Sequence, residues 1–235
     1  MTWLLLICFS VPPLFSASVS GTVELRDSHV PAVRKRRDFS GVVISLKPAL
    51  GAVNVRLQNA RAAMLQKDKT FSPHVLPIVV GTVVAFPNED PIFHNAFSSY
   101  SGQIFDTALY PPGSSRSVRF TREGIVRVFC NIHSSMSAVI VVLANPYFAL
   151  TGRDGAFEIS DVPPGEYRLD VFHERSTEAT LRALRRRVVV ERNTVVLPPI
   201  RISEAGYLPM PHKNKYGRQY PVDSGDHSIY PAARN

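Results

Sequence analysis

A seven-residue segment near the middle of the chain groups three side chains that bind transition metals. Cys130, His133 and Met136 follow the spacing C-x2-H-x2-M, which places a thiolate, an imidazole and a thioether on one short loop. A mononuclear copper electron-transfer site takes two histidines, one cysteine and a weak, long axial methionine. His94 supplies a second imidazole upstream. These residue types predict a single copper site with His94, Cys130, His133 and Met136 as ligands.

Such a site needs a rigid frame, and the surrounding sequence predicts one made of β-strands. Short runs rich in β-branched residues alternate with turn residues along the chain, a pattern typical of a β-sandwich or barrel. Strand 124–129 would end at Cys130, and strand 138–143 would lead away from Met136. Residues 60–66 could form a helical turn or enter a strand. The other predicted strands are 21–25, 41–46, 75–80, 82–86, 117–120, 156–159, 167–172, 187–191 and 194–202.

The N-terminal segment predicts export. Residues 1–20 carry no charged side chain, residues 3–15 are mainly apolar, and small residues at 16–20 suit signal-peptidase cleavage. We predict a signal peptide at 1–20, a periplasmic or otherwise exported protein, and no stable membrane insertion after cleavage; an uncleaved anchor is the alternative. Cleavage removes Cys8 and leaves Cys130 as the only thiol. A lone thiol in an oxidising compartment needs protection, either as a metal ligand or as a buried, inert side chain.

A second unit is predicted to begin at the Asn145-Pro146 step, because the residue before a proline favours extended structure and turn initiation. Beyond this step, Asp154-Gly155 and Pro163-Pro164-Gly165 mark turns between further strands. We predict four segments along the chain: a signal peptide at 1–20, a copper-binding domain with extra N-terminal strands at 21–145, a small β-sandwich at 146–204, and a polar tail at 205–235 that is disordered or draped over the domains.

The chain carries an excess of positive charge. Its formal net charge is +8, to which clusters at 34–37 and 182–187 contribute. Long-range attraction of an acidic partner speeds encounter and is screened by salt, so it suits a transient redox complex. Solvated loop charges without a partner are the alternative. The chain lacks interleaved aromatic and basic residues, so we predict no nucleic acid partner.

The order of the candidate ligands resembles the cupredoxins, of the plastocyanin and amicyanin kind. An isolated His94 is followed by Asn95, and the C-x2-H-x2-M loop comes near the end of the domain. The resemblance spans roughly residues 64–145. It implies a Greek-key β-sandwich that holds one type I (blue) copper, with equatorial and axial ligands at His94, Cys130, His133 and Met136. It also implies that Asn95 ties the two ligand loops together by hydrogen bonds.

The sequence after this domain carries a second resemblance. Residues 147–172 look like a carboxypeptidase regulatory-like domain, which is related in shape to transthyretin. The whole arrangement is similar to exported proteins labelled as methylamine utilisation proteins, and this label implies a copper protein associated with amine oxidation. Together the resemblances imply an all-β chain, in which a cupredoxin-like Greek-key β-sandwich is followed by a small transthyretin-like β-sandwich.

Three functions from different classes fit these observations. The first is a one-electron carrier without substrate turnover, which exchanges electrons with a dehydrogenase, an oxidase or a cytochrome through the exposed edge of His133. The second is copper binding for storage, delivery or tolerance, and the third is a metal-free scaffold or adhesion module. We do not predict an enzyme. The sequence suggests no nucleophile paired with a general base, and it has no H-x-H pair of histidines for a catalytic copper. The remaining histidines are weak ligand candidates: His29, His74, His173, His212 and His227.

Overall fold

The structure is a computed structural model that describes residues 17–50, 60–99, 102–208 and 212–220. Within these residues it contains two short helices and eighteen strands. The helices are α1 (Pro31–Arg36) and α2 (Glu178–Ala183). In chain order the strands are β1 (Ala17–Arg26), β2 (Val43–Pro48), β3 (Arg61–Ala63), β4 (Leu65–Lys67), β5 (Thr70–Ser72), β6 (Val75–Val79), β7 (Val83–Pro87), β8 (Phe97–Ser98), β9 (Phe105–Asp106), β10 (Ser115–Arg119), β11 (Gly124–Phe129), β12 (Ser137–Leu143), β13 (Phe148–Leu150), β14 (Ala156–Val162), β15 (Gly165–Phe172), β16 (Arg186–Val190), β17 (Val195–Val196) and β18 (Ile200–Ser203).

The predicted all-β fold class is confirmed. The chain divides into two compact units: unit 1 comprises Met1–Val53 and Tyr147–Gly206, and unit 2 comprises Asn54–Pro146 and Tyr207–Asn235. Residues 60–66 are extended, because they contribute β3 and β4. No helix among the described residues is long and apolar enough to cross a bilayer.

Unit 1 is a β-sandwich. One of its sheets has the order β14-β1-β17, with β18 also paired to β1, and the other has the order β13-β2-β15-β16. Side chains from the two sheets share one core, in which Val23 of β1 lies with Leu46 of β2 and Leu169 of β15. The alternation of buried and exposed residues along β14 is that of a strand with one face on a core.

The strands at the N-terminus differ from their predicted place in a copper-binding domain at 21–145. β1 pairs antiparallel with β14, with Gly21 opposite Phe157, and β2 pairs antiparallel with β15. Alternation predicts that a segment is a strand, but the partner is chosen by packing between distant parts of the chain. The sandwich predicted at 146–204 is therefore completed by residues from the N-terminus.

The two ends of the chain also differ in part from expectation. Residues 17–20, the end of the predicted signal peptide, belong to β1, while residues 1–16 lie outside the described residues. In the predicted tail, residues 212–220 lie against unit 2 through hydrogen bonds to its side chains and backbone. Residues 209–211 and 221–235 lie outside the described residues.

Unit 2 carries the candidate ligands. It contains a three-stranded sheet of order β10-β7-β3, a five-stranded sheet of order β6-β12-β11-β8-β9, and the hairpin β4-β5. Phe86 of β7 and Val128 of β11 belong to one buried core, to which Cys130 and Met136 also belong. The sulfur atoms of both candidate ligands are thus part of the packed interior of this unit.

Candidate metal centre

The Cys130 loop is the connection of a β-hairpin. β11 ends at Phe129 and β12 begins at Ser137, and these two residues lie opposite each other in the antiparallel ladder. The ladder continues into the loop, because the Cys130 N–H donates to the Met136 carbonyl at 3.2 Å. Inside the loop, the Met136 N–H donates to the His133 carbonyl at 3.2 Å. The hairpin therefore fixes both ends of the C-x2-H-x2-M segment.

His94 reaches the same place from another part of the sheet. Its backbone exchanges two hydrogen bonds with Tyr110, at 3.3 and 2.9 Å. Three residues later, Phe97 of β8 lies opposite Phe129 of β11. This pairing brings the segment that carries His94 alongside the strand end that carries Cys130.

Three donor atoms meet between these two segments. Cys130 Sγ lies 3.8 Å from His94 Nδ1 and 3.7 Å from His133 Nδ1. One donor atom from each of the three residues lies within 4.8 Å of the others. His94 and Cys130 are fully buried, and His133 is half-buried. Of these three residues, His133 is therefore the one that solvent partly reaches.

These separations suit a shared metal ion. A sulfur and a nitrogen bound to one ion at about 2.3 and 2.0 Å, with a trigonal angle between them, lie roughly 3.7 Å apart. Both measured sulfur-to-nitrogen distances agree with this value. One thiolate with two imidazoles is also the donor set that copper electron-transfer sites use. The residues present therefore fit a copper ion in both separation and chemistry.

A carboxylate that the sequence analysis missed holds the His94 ring. His94 Nε2 lies 2.7 Å from Asp90 Oδ2, and since the carboxylate of Asp90 accepts, Nε2 carries the proton. Burial lowers the pKa of His94 and outweighs the opposing effect of Asp90, so the ring is neutral. The Nδ1 lone pair is then directed to Cys130. A histidine that donates its second N–H to a carboxylate is the usual way in which proteins orient a metal ligand.

Asp90 is itself fixed by the backbone. It accepts hydrogen bonds from the N–H groups of Asp68 at 2.6 Å and Lys69 at 2.9 Å. Burial raises the pKa of Asp90, but the hydrogen bonds from Lys69, His94 and Asp68 outweigh it and the net pKa is lowered. The carboxylate is therefore charged at neutral pH and holds the ring in one orientation. Because residues 90–94 form no helix, the Asp-x3-His spacing gives no sequence signal for this residue.

The environment of Cys130 favours a thiolate only when a cation is present. Burial raises the pKa of the Cys130 thiol above its ordinary value. Backbone N–H groups of Asn95, Ile132, His133 and Asn131 act in the opposite direction, because they donate toward the sulfur. The pocket thus offers hydrogen bonds to the anion while it excludes water from it.

Asn95 lies between the two segments that carry the ligands. Its Oδ1 accepts a hydrogen bond at 2.7 Å from the N–H of Asn131, the residue after Cys130. Its Nδ2 donates to Asp106 of β9 at 3.1 Å. Because Asn95 directly follows His94, this side chain connects the His94 segment to the Cys130 loop.

The remaining predicted residues are Met136 and the histidines outside the candidate site. Met136 is fully buried in the core of unit 2, next to the hairpin closure. His74 is exposed, with Nδ1 3.0 Å from the Ser137 carbonyl, and His173 is buried in unit 1 against Glu204. His227 lies outside the described residues.

No protein-family model and no curated protein matches this chain. Among solved structures, it is similar to a copper-containing nitrite reductase from Thermus scotoductus SA-01, with 26% identity and a TM-score of 0.36; the match covers 42% of this chain and 26% of that one. It is similar to a purple cupredoxin from Nitrosopumilus maritimus, with 24% identity and a TM-score of 0.33, over 35% of this chain and 99% of that one.

A reduced single-residue variant of amicyanin is a further similar structure, with 18% identity and a TM-score of 0.33. That match covers 43% of this chain and 98% of amicyanin. The chain thus spans about a quarter of the nitrite reductase and nearly all of the two smaller proteins. Each likeness covers less than half of this chain, and what the site can do follows from its own donor atoms.

Proposed function

We propose that this protein is an exported blue copper protein that acts as a one-electron carrier. One observation carries the proposal: one donor atom each of His94, Cys130 and His133 lies within 4.8 Å of the others, on two neighbouring segments of unit 2. His94, Cys130 and His133 would hold one copper ion, and the Met136 thioether would be the weak axial ligand. When bound, copper supplies a centre that alternates between two oxidation states.

The chain's own contribution is a rigid, dry cage. The hairpin ladder fixes Cys130 and Met136, Asp90 fixes the His94 ring, and Asn95 links the two segments. The full burial of His94 and Cys130 keeps water away from the donor atoms of these two residues. A cage that keeps one geometry suits electron transfer, because little rearrangement then accompanies the change in charge.

The exposure of the donors supports a carrier over an enzyme. The half-buried ring of His133 is the part of the donor set that reaches the surface, which gives electrons a short route to a partner. A catalytic metal needs an open position for substrate, whereas here two of the three donors are fully buried. We propose exchange with a dehydrogenase or a cytochrome, whose acidic surface would be attracted by the net charge of +8.

The proposal includes the finer predictions made from the sequence. We propose export through the N-terminal segment, a type I centre with one copper, and no substrate turnover. The link to amine oxidation and the carboxypeptidase regulatory-like character of the 147–172 region stay predictions from resemblance.

Copper titration of the purified metal-free protein tests the site. We expect an intense thiolate-to-copper absorption band that saturates at one equivalent of Cu(II), and its loss in the Cys130→Ser variant. The His74→Gln variant is the matched control, because it changes an exposed histidine of the same unit. A folded protein that binds no copper would favour the metal-free scaffold. Copper bound without a thiolate band, and released readily to a chelator, would favour storage or delivery.

A further inference from the structure

We propose that the C-terminal segment 212–220, here called the strap, is a positioning element of the Cys130 loop that holds it in its ligand-binding conformation before metal arrives. This inference deepens the copper-binding function proposed above and rests on it. The strap was predicted as part of a polar tail, yet it makes directed contacts with the one loop that carries three candidate ligands. Tyr220, His212 and Lys215 are the positioning residues.

Three hydrogen bonds join the strap to the loop. Tyr220 Oη donates to the carbonyl of Cys130 at 2.7 Å, and His212 Nε2 donates to the carbonyl of Ser134 at 2.8 Å. The Lys215 N–H donates to Asn131 Oδ1 at 3.0 Å. These contacts are spread from the first residue of the loop to the position after His133. The loop is therefore held along its length as well as at its two ends.

A closed ring of hydrogen bonds extends this contact to the His94 segment. Lys215 Nζ pairs with Asp106 Oδ2 at 2.7 Å, and Asn95 Nδ2 donates to the other oxygen of Asp106 at 3.1 Å. Asn95 Oδ1 accepts from the N–H of Asn131, and the side-chain Oδ1 of Asn131 accepts from the N–H of Lys215. One strap residue thus closes a ring that includes both segments carrying ligands. Such networks restrict motion more than their separate bonds would.

Aromatic packing seats the strap on the residue that precedes Cys130. The His212 ring stacks on Phe129 with centroids 4.1 Å apart, and the Tyr220 ring meets His212 edge-on at 5.1 Å. His212 and Tyr220 are both half-buried. These contacts fix the two rings that donate to the loop carbonyls, so the donors are oriented as well as close.

The strap is folded by its own turn. The N–H of Asn214 donates to the Arg218 carbonyl at 2.9 Å, and Asn214 Oδ1 accepts from the N–H groups of Tyr216 and Arg218 at 3.0 Å each. Gly217 has a φ of 73°, a conformation that glycine adopts without steric cost. The turn places His212 and Tyr220 side by side, which lets one short segment reach the loop at both Cys130 and Ser134.

A double variant of the full chain tests this role. His212→Phe with Tyr220→Phe keeps both rings for packing and removes both hydrogen bonds to the loop carbonyls. The readout is amide hydrogen exchange in the metal-free protein at Cys130, Asn131 and Met136, whose N–H groups are bonded within the site. We expect exchange at these three amides to be roughly tenfold faster, because two bonds that oppose loop opening are lost.

The matched control is Tyr167→Phe, which removes a tyrosine bond to a backbone carbonyl, that of Pro163 at 2.8 Å, in unit 1. It should leave the three loop amides unchanged. The Cu(II)-loaded double variant should also show a shifted thiolate-to-copper band, which Tyr167→Phe should not.

Loop exchange within twofold of the wild-type rate in the folded double variant would overturn the proposal. If the double variant does not fold, the same amide exchange rates are compared between the single Tyr220→Phe variant and the wild type. Because exchange is measured without metal, a protein that fails to bind copper would disprove the proposed function and leave this test intact.

Discussion

His94 is prepared for a metal by the residue four positions before it. The buried Asp90 carboxylate accepts a hydrogen bond from the Nε2–H group, which leaves the Nδ1 lone pair directed at Cys130. The sequence alone predicted His94 from its type and its neighbour Asn95, but it gave no reason to select Asp90. Tertiary folding decides which acidic residue meets the far side of a histidine ring, so only the structure identifies this pair.

Removing the charge of Asp90 should weaken copper binding. In Asp90→Asn the amide can still accept from Nε2 through one oxygen, but it loses one of the oxygens that serve Asp68 and Lys69. We expect an affinity for Cu(II) about 10- to 100-fold lower, because the His94 ring is held less firmly and is a weaker base. Competition with a chelator of known affinity measures the change. Glu89→Gln, at the exposed neighbouring residue, should stay within twofold; equal losses in both variants would contradict the role of Asp90.

A substitution can distinguish whether Met136 is a copper ligand or only a buried core residue. Met136→Leu should keep the intense thiolate band but raise the reduction potential on the order of 60 mV, which corresponds to a tenfold shift between the two oxidation states. The loss of a weak donor favours the less charged ion. Met64→Leu is the control, since Met64 is also fully buried in the same core. If potentiometric titration gives the same reduction potential for Met136→Leu and Met64→Leu, Met136 is not a copper ligand.

At the scale of the element, the ligand hairpin was the most predictable part of the chain. The strands 124–129 and 138–143 follow from alternation and β-branched content, and the structure has β11 and β12 within one residue of these bounds. The two strands are neighbours in the sequence and pair with each other, so the segment between them is predictable as the loop of a hairpin. The short strands β8 and β9, by contrast, have two residues each and leave no periodic signal.

The turn at Asp154-Gly155 was also predicted from the sequence, and a substitution of Gly155 tests it. Gly155 has a φ of 78°, and a Cβ built there would lie 2.1 Å from the Val23 carbonyl oxygen. We expect Gly155→Ala to lower the free energy of unfolding by about 3 kcal/mol, from the left-handed backbone plus the clash. Gly206 lies in the same unit with a φ of 77° and only an ordinary contact at 3.5 Å, so Gly206→Ala should cost about 1 kcal/mol. Urea unfolding measures both free energies. Equal losses in Gly155→Ala and Gly206→Ala would show that β1 does not pack closely against the turn at Gly155.

At the scale of the whole molecule, chain order and spatial order differ. Unit 1 is formed from an N-terminal part and a part after Pro146, and the chain returns to unit 2 after Gly206. The sequence predicted the break at 145–146, but it assigned the N-terminal strands to their neighbours in sequence. The strap was missed for a related reason: its residues have no periodicity, and their contacts are made with residues about 80 to 110 positions earlier.

Unit 1 contains a buried ionic cluster that should make its stability depend on pH. Glu204 accepts hydrogen bonds from Ser28, His173 and Arg175. Burial raises its pKa, but these hydrogen bonds outweigh burial and hold the pKa of Glu204 at about 2, against 4.5 for the free side chain. A carboxyl whose pKa is lowered on folding stabilises the protein above its unfolded pKa, and this contribution is lost as pH falls toward the folded pKa.

The Glu204→Gln variant should therefore be less stable at pH 7, by on the order of 3 kcal/mol. The difference from the wild type should shrink between about pH 5 and pH 2, as the wild-type carboxyl becomes protonated. Urea unfolding of unit 1 across this range, followed by the fluorescence of its tyrosines, measures the effect. A difference that stays constant down to pH 2 would show that the charge of Glu204 contributes nothing.

The central claim is that His94, Cys130 and His133 hold one copper ion that gains and loses a single electron without leaving the protein. Voltammetry of the full chain loaded with one equivalent of copper tests this most directly. We predict a reversible one-electron wave that persists over repeated cycles and is absent from Cys130→Ser. An irreversible wave, or copper that is lost to solution on reduction, would contradict the carrier and leave a protein that binds copper without transferring electrons.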